Sequence, residues 1–239
     1  MFSPIPTAGT KTRRRLVLFD IDGTLITDGG ASREAFAEGL AEVYGFRGDV
    51  RQYDFSGRTD PQIARMILKD HGWSEPDVDA RLPSLWQDYL GRLARNLPGQ
   101  VRALPGITAL LAVVRAEELL TVALLTGNIE PGARLKLGAI GMNDAFPFGA
   151  FGSDSSRREE LPPIAVARAA LVSGHAFRDS DVVIIGDSIY DVRCGTPHGA
   201  TTIAIASGKT PAERLRAENP DHFFDSAEDL EGILAAIVG

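Results

Sequence analysis

Residues 15–25 read RLVLFDIDGTL. The first five are apolar at every position but the first, the pattern of a β-strand buried on both faces, as in a parallel sheet. Asp20 and Asp22 follow at once. Two apart in extended chain, their side chains point to the same side. Gly23 lets the backbone turn sharply just past them. The reading therefore places two carboxylates at the carboxyl end of a buried strand.

Working outward, similar apolar runs recur at Leu120–Leu125, Val182–Ile185 and Thr201–Ala206, with a short edge candidate at His222–Phe224. Helical patterns lie between them. Ile107, Leu110, Leu111 and Val114 recur at i, i+3, i+4 and i+7 behind a Pro105-Gly106 turn. Pro162 and Pro163 fit only a first helical turn, so a helix opens there and runs through Ile164, Ala167 and Leu171. Strands alternating with helices predict an α/β fold with a Rossmann-like, doubly wound parallel sheet.

The first crossover is far too long. Roughly a hundred residues separate Phe19 from Leu120, where a parallel connection needs only a dozen or more and a structureless loop of that length is not expected. The segment has apolar stripes of its own: Phe36, Leu40, Val43 and Tyr44; then Ile63, Met66 and Ile67 behind an Asp60-Pro61 start; then Leu82, Leu85, Trp86, Tyr89, Leu90 and Leu93. The expected organisation is an α/β core of residues 14–28 and 98–239, with an α-helical cap of residues 29–97 inserted after the first strand. Such an insert emerges where ligands sit in open α/β sheets, and so is placed to act as a lid.

Polar clusters follow the later strands too: Thr126-Gly127-Asn128, and Gly186-Asp187-Ser188-Ile189-Tyr190-Asp191. Neighbouring strands lie about 4.8 Å apart, so Asp20, Asp22, Asp187 and Asp191 should converge in one crevice if these strands adjoin. Two unit charges about 4 Å apart repel by roughly 4 kcal/mol at an effective dielectric of 20. Protons or a cation must relieve this, and a set of hard carboxylate oxygens suits Mg2+.

With DIDGTL and GDSIYD in this order, the chain resembles the haloacid dehalogenase-like (HAD) hydrolase superfamily, and within it the phosphoglycolate phosphatase-like branch, from about Arg15 to the end. The resemblance implies a Mg2+-dependent phosphatase acting on a small phosphomonoester of the phosphoglycolate or sugar phosphate type. Asp20 would be the nucleophile and Asp22 the acid and base, its carbonyl also binding metal. Thr126 and the Gly127 amide would bind phosphoryl oxygens. Asp187 would ligate Mg2+, and Asp191 would orient a ligand or a metal-bound water. The family usually supplies a lysine before a proline-headed helix. Here the best match is Arg158, with Arg157 one position away and Lys136 and Lys209 as alternatives in the wrong context; arginine is not equivalent to lysine.

Other residues admit two readings. Arg58, in the loop Phe55–Asp60, either reaches down to an anionic group of the substrate or pairs with Asp54 or Asp60. Asn128 either contacts substrate or caps the following helix. His71, His175, His198 and His222 show no metal-ligand spacing and read as structural. Cys194 reads as a small packed residue, and Trp73, Trp86 and Tyr89 as cap core rather than a stacking surface.

Composition narrows the partners. With 25 basic and 32 acidic residues the net charge is −7, which argues against nucleic acid or anionic membrane as the main partner. One cysteine cannot form an internal disulfide, which suits a reducing compartment and hence a cytoplasmic location. No apolar run approaches the 18 or so residues of a membrane span. Residues 1 to about 13 read as a loose tail, with the Lys11–Arg15 run as its solvated lead-in. A small phosphorylated metabolite is the expected partner, and the protein a monomer or homodimer. A phosphomutase shares Asp20 and Asp22, whereas a 2-haloacid dehalogenase lacks the second aspartate. A phospho-accepting signalling receiver carries its acidic pair and its phosphorylated residue on different strands.

Overall fold

The computed structural model describes residues 13–239. The expected tail, and with it the first part of the Lys11–Arg15 run, lies outside the described residues. In chain order the strands are β1 (Arg15–Phe19), β2 (Ile26–Thr27), β3 (Arg102–Ala103), β4 (Leu120–Thr126), β5 (Gly149–Phe151), β6 (Val182–Gly186), β7 (Thr201–Ile205) and β8 (His222–Phe224). The helices are α1 (Ala31–Tyr44), α2 (Asp60–Asp70), α3 (Glu75–Asn96), α4 (Ile107–Ala116), α5 (Glu130–Gly138), α6 (Leu161–Ser173), α7 (Ile189–Gly195), α8 (Ala212–Ala217) and α9 (Leu230–Val238).

Six strands form one parallel sheet in the order β5-β4-β1-β6-β7-β8. β1 lies in the interior with every side chain buried. Val17 and Phe19 enter the larger core with residues of α4 and α9, while Leu16 and Leu18 enter the second with residues of α6 and α7. Helices therefore cover both faces, as an all-parallel sheet requires. Burying each of these large side chains is worth about 1.5–3 kcal/mol. The chain turns from one side of β1 to the other between β4 and β6, so the crevice at their carboxyl ends is the switch point where ligands bind in such sheets. β5 has no counterpart in the sequence reading: three residues led by glycine carry no periodic signal.

Helices α1, α2 and α3 lie between β2 and β3, which pair antiparallel with each other. The bond from Leu104 N to Leu25 O, 3.0 Å, extends this pairing. The Phe36 ring lies 5.6 Å from Phe55, 5.6 Å from Tyr89 and 6.2 Å from Trp86 between centroids, tying α1, α3 and the loop before α2 together. Two local expectations need correction. The N-cap of α2 is Thr59, whose Oγ1 accepts from Gln62 N at 3.2 Å, and Asp60 is already helical. Its carboxylate is thereby free to bond elsewhere. α3 begins well before Leu82, behind the capping Ser74, and continues through Pro83. A proline there costs about 3 kcal/mol, offset by burial of Leu82, Leu85, Tyr89 and Leu93 on one face.

Candidate active site

Phe19 pairs in register with Leu124 of β4 and Ile185 of β6, so Asp20, Thr126 and Asp187 emerge side by side at one end of the sheet. Asp20 is buried and its N–H donates to Ile185 O at 3.0 Å. One carboxylate oxygen from each of Asp20, Asp187 and Asp191 lies within 4.8 Å of the others.

Asp22 is not in that group. The chain does not stay extended after Asp20: the N–H groups of Thr24, Leu25 and Ile26 all converge on Ile21 O, and Gly23 turns with φ 86°. This turn directs the Asp22 carboxylate to Lys136 Nζ at 2.6 Å and Asn128 Nδ2 at 2.8 Å. Asp22 lines the same cavity as Asp20 and Asp187, but only three of the four carboxylates lie within ligating range of one another, the Asp22 side chain being held by a cation of its own. A side chain on Gly23 would also run into Asp187, so the turn is both left-handed and tightly packed.

Arg158 pairs with two of these three carboxylates, Asp20 and Asp191. Its side chain is 4% exposed; Nη2 lies 3.1 Å from Asp20 Oδ1 and pairs with Asp191 Oδ1. The same guanidinium donates to Gly57 O at 3.0 Å and Leu125 O at 3.2 Å. Arg157 points elsewhere, pairing on the surface with Glu159 and Glu160. Of the two arginines before Pro162, geometry therefore selects Arg158. Its pKa is held above the ordinary value: burial opposes the charge, but Asp191 and Asp20 outweigh it.

One guanidinium does not neutralise this group. Burial raises the Asp20 pKa, with Arg158 opposing. Burial first, and then repulsion from Asp20 and Asp191, pushes the Asp187 carboxyl well above its ordinary value. Oxygen-only donors with surplus negative charge fit a hard divalent cation. Asp191 is already committed, with Oδ2 accepting from Ser188 N at 2.9 Å and Ser188 Oγ at 2.6 Å. Asp20 and Asp187 are therefore the carboxylates that could hold a metal directly, with Asp191 behind them fixing Arg158.

On the β4 side, Thr126 Oγ1 accepts from Asn128 Nδ2 at 2.8 Å. Its hydroxyl hydrogen and the Gly127 N–H are committed to no described residue, so both can donate to a ligand oxygen. Asn128 does not cap α5; it bridges Thr126, Asp22 and Lys136. The head of α5 is met instead from α2, where Asp60 Oδ2 accepts from Ile129 N at 2.8 Å and Asp60 N donates to Gly127 O at 2.7 Å. Any side chain at Gly127 would strike the Arg58 carbonyl.

Burial pushes the Asp60 pKa up to about 6, against the pull of Lys136 and the Ile129 N–H. A carboxyl whose folded pKa is raised stabilises the fold at low pH and loses that contribution as pH rises through 4 to 6. Asp60→Asn is therefore expected to gain stability relative to wild type across that window, on the order of 3 kcal/mol by pH 7. Urea midpoints at pH 4.5 and 7.5 check this; a parallel shift at both would contradict it.

Arg58 pairs with neither Asp54 nor Asp60. Its guanidinium lies 4.9 Å from the Tyr190 ring centroid, and its buried Nε has no partner among the described residues. It lines a cavity of about 380 Å3 together with Asp20, Asp22, Thr126, Arg158, Asp187 and Lys209. Phe36 of α1, Phe55 of the loop before α2 and Tyr89 of α3 also line it, so Tyr89 serves both the helical core and the cavity wall. Trp73 packs on Tyr44 at 5.1 Å, as core. None of the four histidines joins the acidic group. Cys194 is buried and burial pushes its thiol up to about 12, so it is inert at neutral pH.

The sequence reading missed Lys136 as a site residue, keeping it only as an alternative to Arg158. A usable signal exists: it sits on the buried face of α5 with Ala133 and Leu137, where periodicity calls for an apolar residue. It also missed Thr24, whose Oγ1 bonds Asp187 Oδ1 at 3.0 Å, and Ser207, whose Oγ bonds Gly23 O at 2.7 Å. A lone hydroxyl in a turn carries no comparable signal.

The chain belongs to the haloacid dehalogenase-like hydrolase family, whose profile matches residues 17–196. It is therefore a hydrolase by family. It is 24% identical over 226 residues to the phosphoglycolate phosphatase of Nitrosococcus oceani, covering 92% of this chain and 96% of that protein. Its fold matches a hydrolase from Pseudomonas syringae at a TM-score of 0.72 and 21% identity, over 95% of this chain and 100% of the other. It also matches a putative beta-phosphoglucomutase of Bacteroides vulgatus at a TM-score of 0.66 and 21% identity, over 95% and 89% of the two chains. Among the described residues no helix is long and apolar enough to cross a membrane.

Proposed function

We propose that the protein is a Mg2+-dependent phosphatase that hydrolyses a small phosphomonoester through a phosphorylated Asp20. The observation that carries this is the separation of the two aspartates of DIDGTL. Asp20 is buried against Arg158, while Asp22, at the same cavity, is held by Lys136 and Asn128. One carboxylate is poised as nucleophile and the other for proton transfer.

In the first step an Asp20 oxygen bonds to phosphorus and the bond to the leaving alkoxide breaks, Asp22 giving that alkoxide its proton. In the second a water attacks the same phosphorus and yields a proton to Asp22. The bond from phosphorus to Asp20 then breaks, releasing inorganic phosphate. Arg158, Thr126 and Gly127 would donate to the phosphoryl oxygens as charge redistributes, the main source of stabilisation in phosphoryl transfer. Asp20 and Asp187 would hold the Mg2+, which neutralises phosphoryl charge when bound.

The substrate class follows from the relative of Nitrosococcus oceani and from the cavity. Phosphoglycolate or a sugar phosphate fits about 380 Å3, and Arg58, paired with neither Asp54 nor Asp60, lines that cavity. Arg58→Ala is expected to raise KM for phosphoglycolate 10- to 100-fold, the worth of a charged hydrogen bond of about 1.5–3 kcal/mol. A phosphate ester with an uncharged leaving group should change little; equal losses on both would remove Arg58 from substrate recognition. The protein would work in the cytoplasm, as a monomer or homodimer, without nucleic acid or membrane.

The deciding experiment is release of inorganic phosphate from a panel of phosphorylated metabolites, with Mg2+ and after EDTA. Activity is expected to vanish with EDTA and return with Mg2+. Turnover that survives metal removal contradicts the reading. Interconversion of two sugar phosphates without phosphate release would instead identify a phosphomutase.

A further inference from the structure

We propose that Lys136 is a positioning residue for Asp22, locking one of its carboxylate oxygens so that the other alone carries the catalytic proton. The inference rests on the phosphatase reading above.

Lys136 is buried, its side chain 3% exposed, on a helix face otherwise built from Gly132, Ala133 and Leu137. Taking an ammonium out of water costs several kcal/mol unless it is paired. A methionine would fill the same volume without that cost, so packing does not call for lysine here. What the charge does is visible in its bonds. Nζ donates to Asp22 Oδ2 at 2.6 Å and to Asn128 Oδ1 at 2.6 Å. Asn128 then turns its amide to the same Asp22 oxygen at 2.8 Å and to Thr126 Oγ1 at 2.8 Å. Lys136 thereby also fixes which way Asn128 faces.

The consequence falls on Asp22. Its side chain is 41% exposed at the cavity, and nothing in its own turn would keep it from rotating into solvent. Two N–H donors point at Oδ2, so a proton there would meet donors rather than acceptors. Oδ1 accepts from no described residue. A proton shared with the leaving group or with the attacking water must therefore sit on Oδ1, in one fixed orientation. General acid and base catalysis depends on such geometry first.

The test compares kcat/KM for an alkyl phosphate, phosphoglycolate, with that for p-nitrophenyl phosphate, whose leaving group departs without a proton. Lys136→Met is expected to lower the first about 100-fold, the low end of general acid catalysis, and the second less than tenfold. Asp22→Asn should show the same selectivity, and the double variant should be no worse than Asp22→Asn alone, since the two residues act as a unit. Circular dichroism and thermal melting verify that each variant is folded. A ratio between the two substrates that Lys136→Met leaves unchanged, whether both rates fall or neither does, overturns the inference. So does an additive loss in the double variant. Failure of wild-type protein to release phosphate from either compound overturns the phosphatase reading, and the inference with it.

Discussion

Asp20→Asn is expected to abolish turnover, by about 10⁴-fold or more in kcat, the scale seen when a nucleophile that works as part of a unit is removed. The asparagine fills the same space beside Arg158 but cannot form the bond to phosphorus. Stability should move the other way. Burial raises the Asp20 pKa, so in the metal-free protein ionised Asp20 weighs against the fold at neutral pH. A raised carboxyl stabilises only below its unfolded value and loses this as pH rises. The variant should therefore melt no lower than wild type at pH 7 without metal. Phosphate release and calorimetry check the two halves. Mass spectrometry of wild-type protein quenched during turnover should find the phosphoryl adduct on Asp20. An adduct on another residue would end the proposed mechanism.

The second large effect lies at Arg158. Arg158→Ala leaves Asp20 and Asp191 buried without their cation, and Gly57 O and Leu125 O without a donor. Breaking a buried pair from one side costs about 3–5 kcal/mol, which for a domain of this size lowers Tm by roughly 10 °C. The kcat should fall by about 10²–10³, as when a donor to the transition state is lost. Arg158→Lys is the informative companion. It restores one charge beside Asp20 but cannot reach both carbonyls as a planar fork does, so it should recover most of the stability and part of the rate. Should Arg158→Ala melt as wild type does, the pairing drawn here is wrong.

What could be read from the residues divides by physical origin. β1, β4, β6 and β7 are legible as mostly apolar runs, but the register that places Asp20, Thr126 and Asp187 together depends on which strands adjoin, which no local pattern gives. The family resemblance narrows the basic residue to Arg158 or Arg157, since Pro162 and Pro163 mark the helix that both arginines precede, but only their pairing separates the two. Asp22 reaches the expected cavity, but its separation from the other three carboxylates is not legible, because alternation along extended chain fails where three N–H groups fold back onto Ile21 O. Lys136 escapes for a different reason: its partners, Asp22 and Asn128, come from distant segments, and no local pattern announces such a pairing. Asp60 looks like a helix cap by composition, yet Thr59 takes that place and leaves Asp60 to bridge two parts of the chain. Side chains whose partners are remote are the ones that local periodicity cannot assign.

The two chain segments that join the α1–α3 region to the sheet run side by side as β2 and β3, two residues each. Two separate tethers would let that region drift and tumble. A short antiparallel ribbon resists sideways shear through its cross-strand bonds while yielding readily to twist and bend, like a strip of tape. Pairing the two crossings thus holds the α1–α3 region to the sheet as one joined strip instead of two independent strings. The Asp60 bonds to Gly127 and Ile129 add a second point of attachment, so the region is anchored to the sheet at two places.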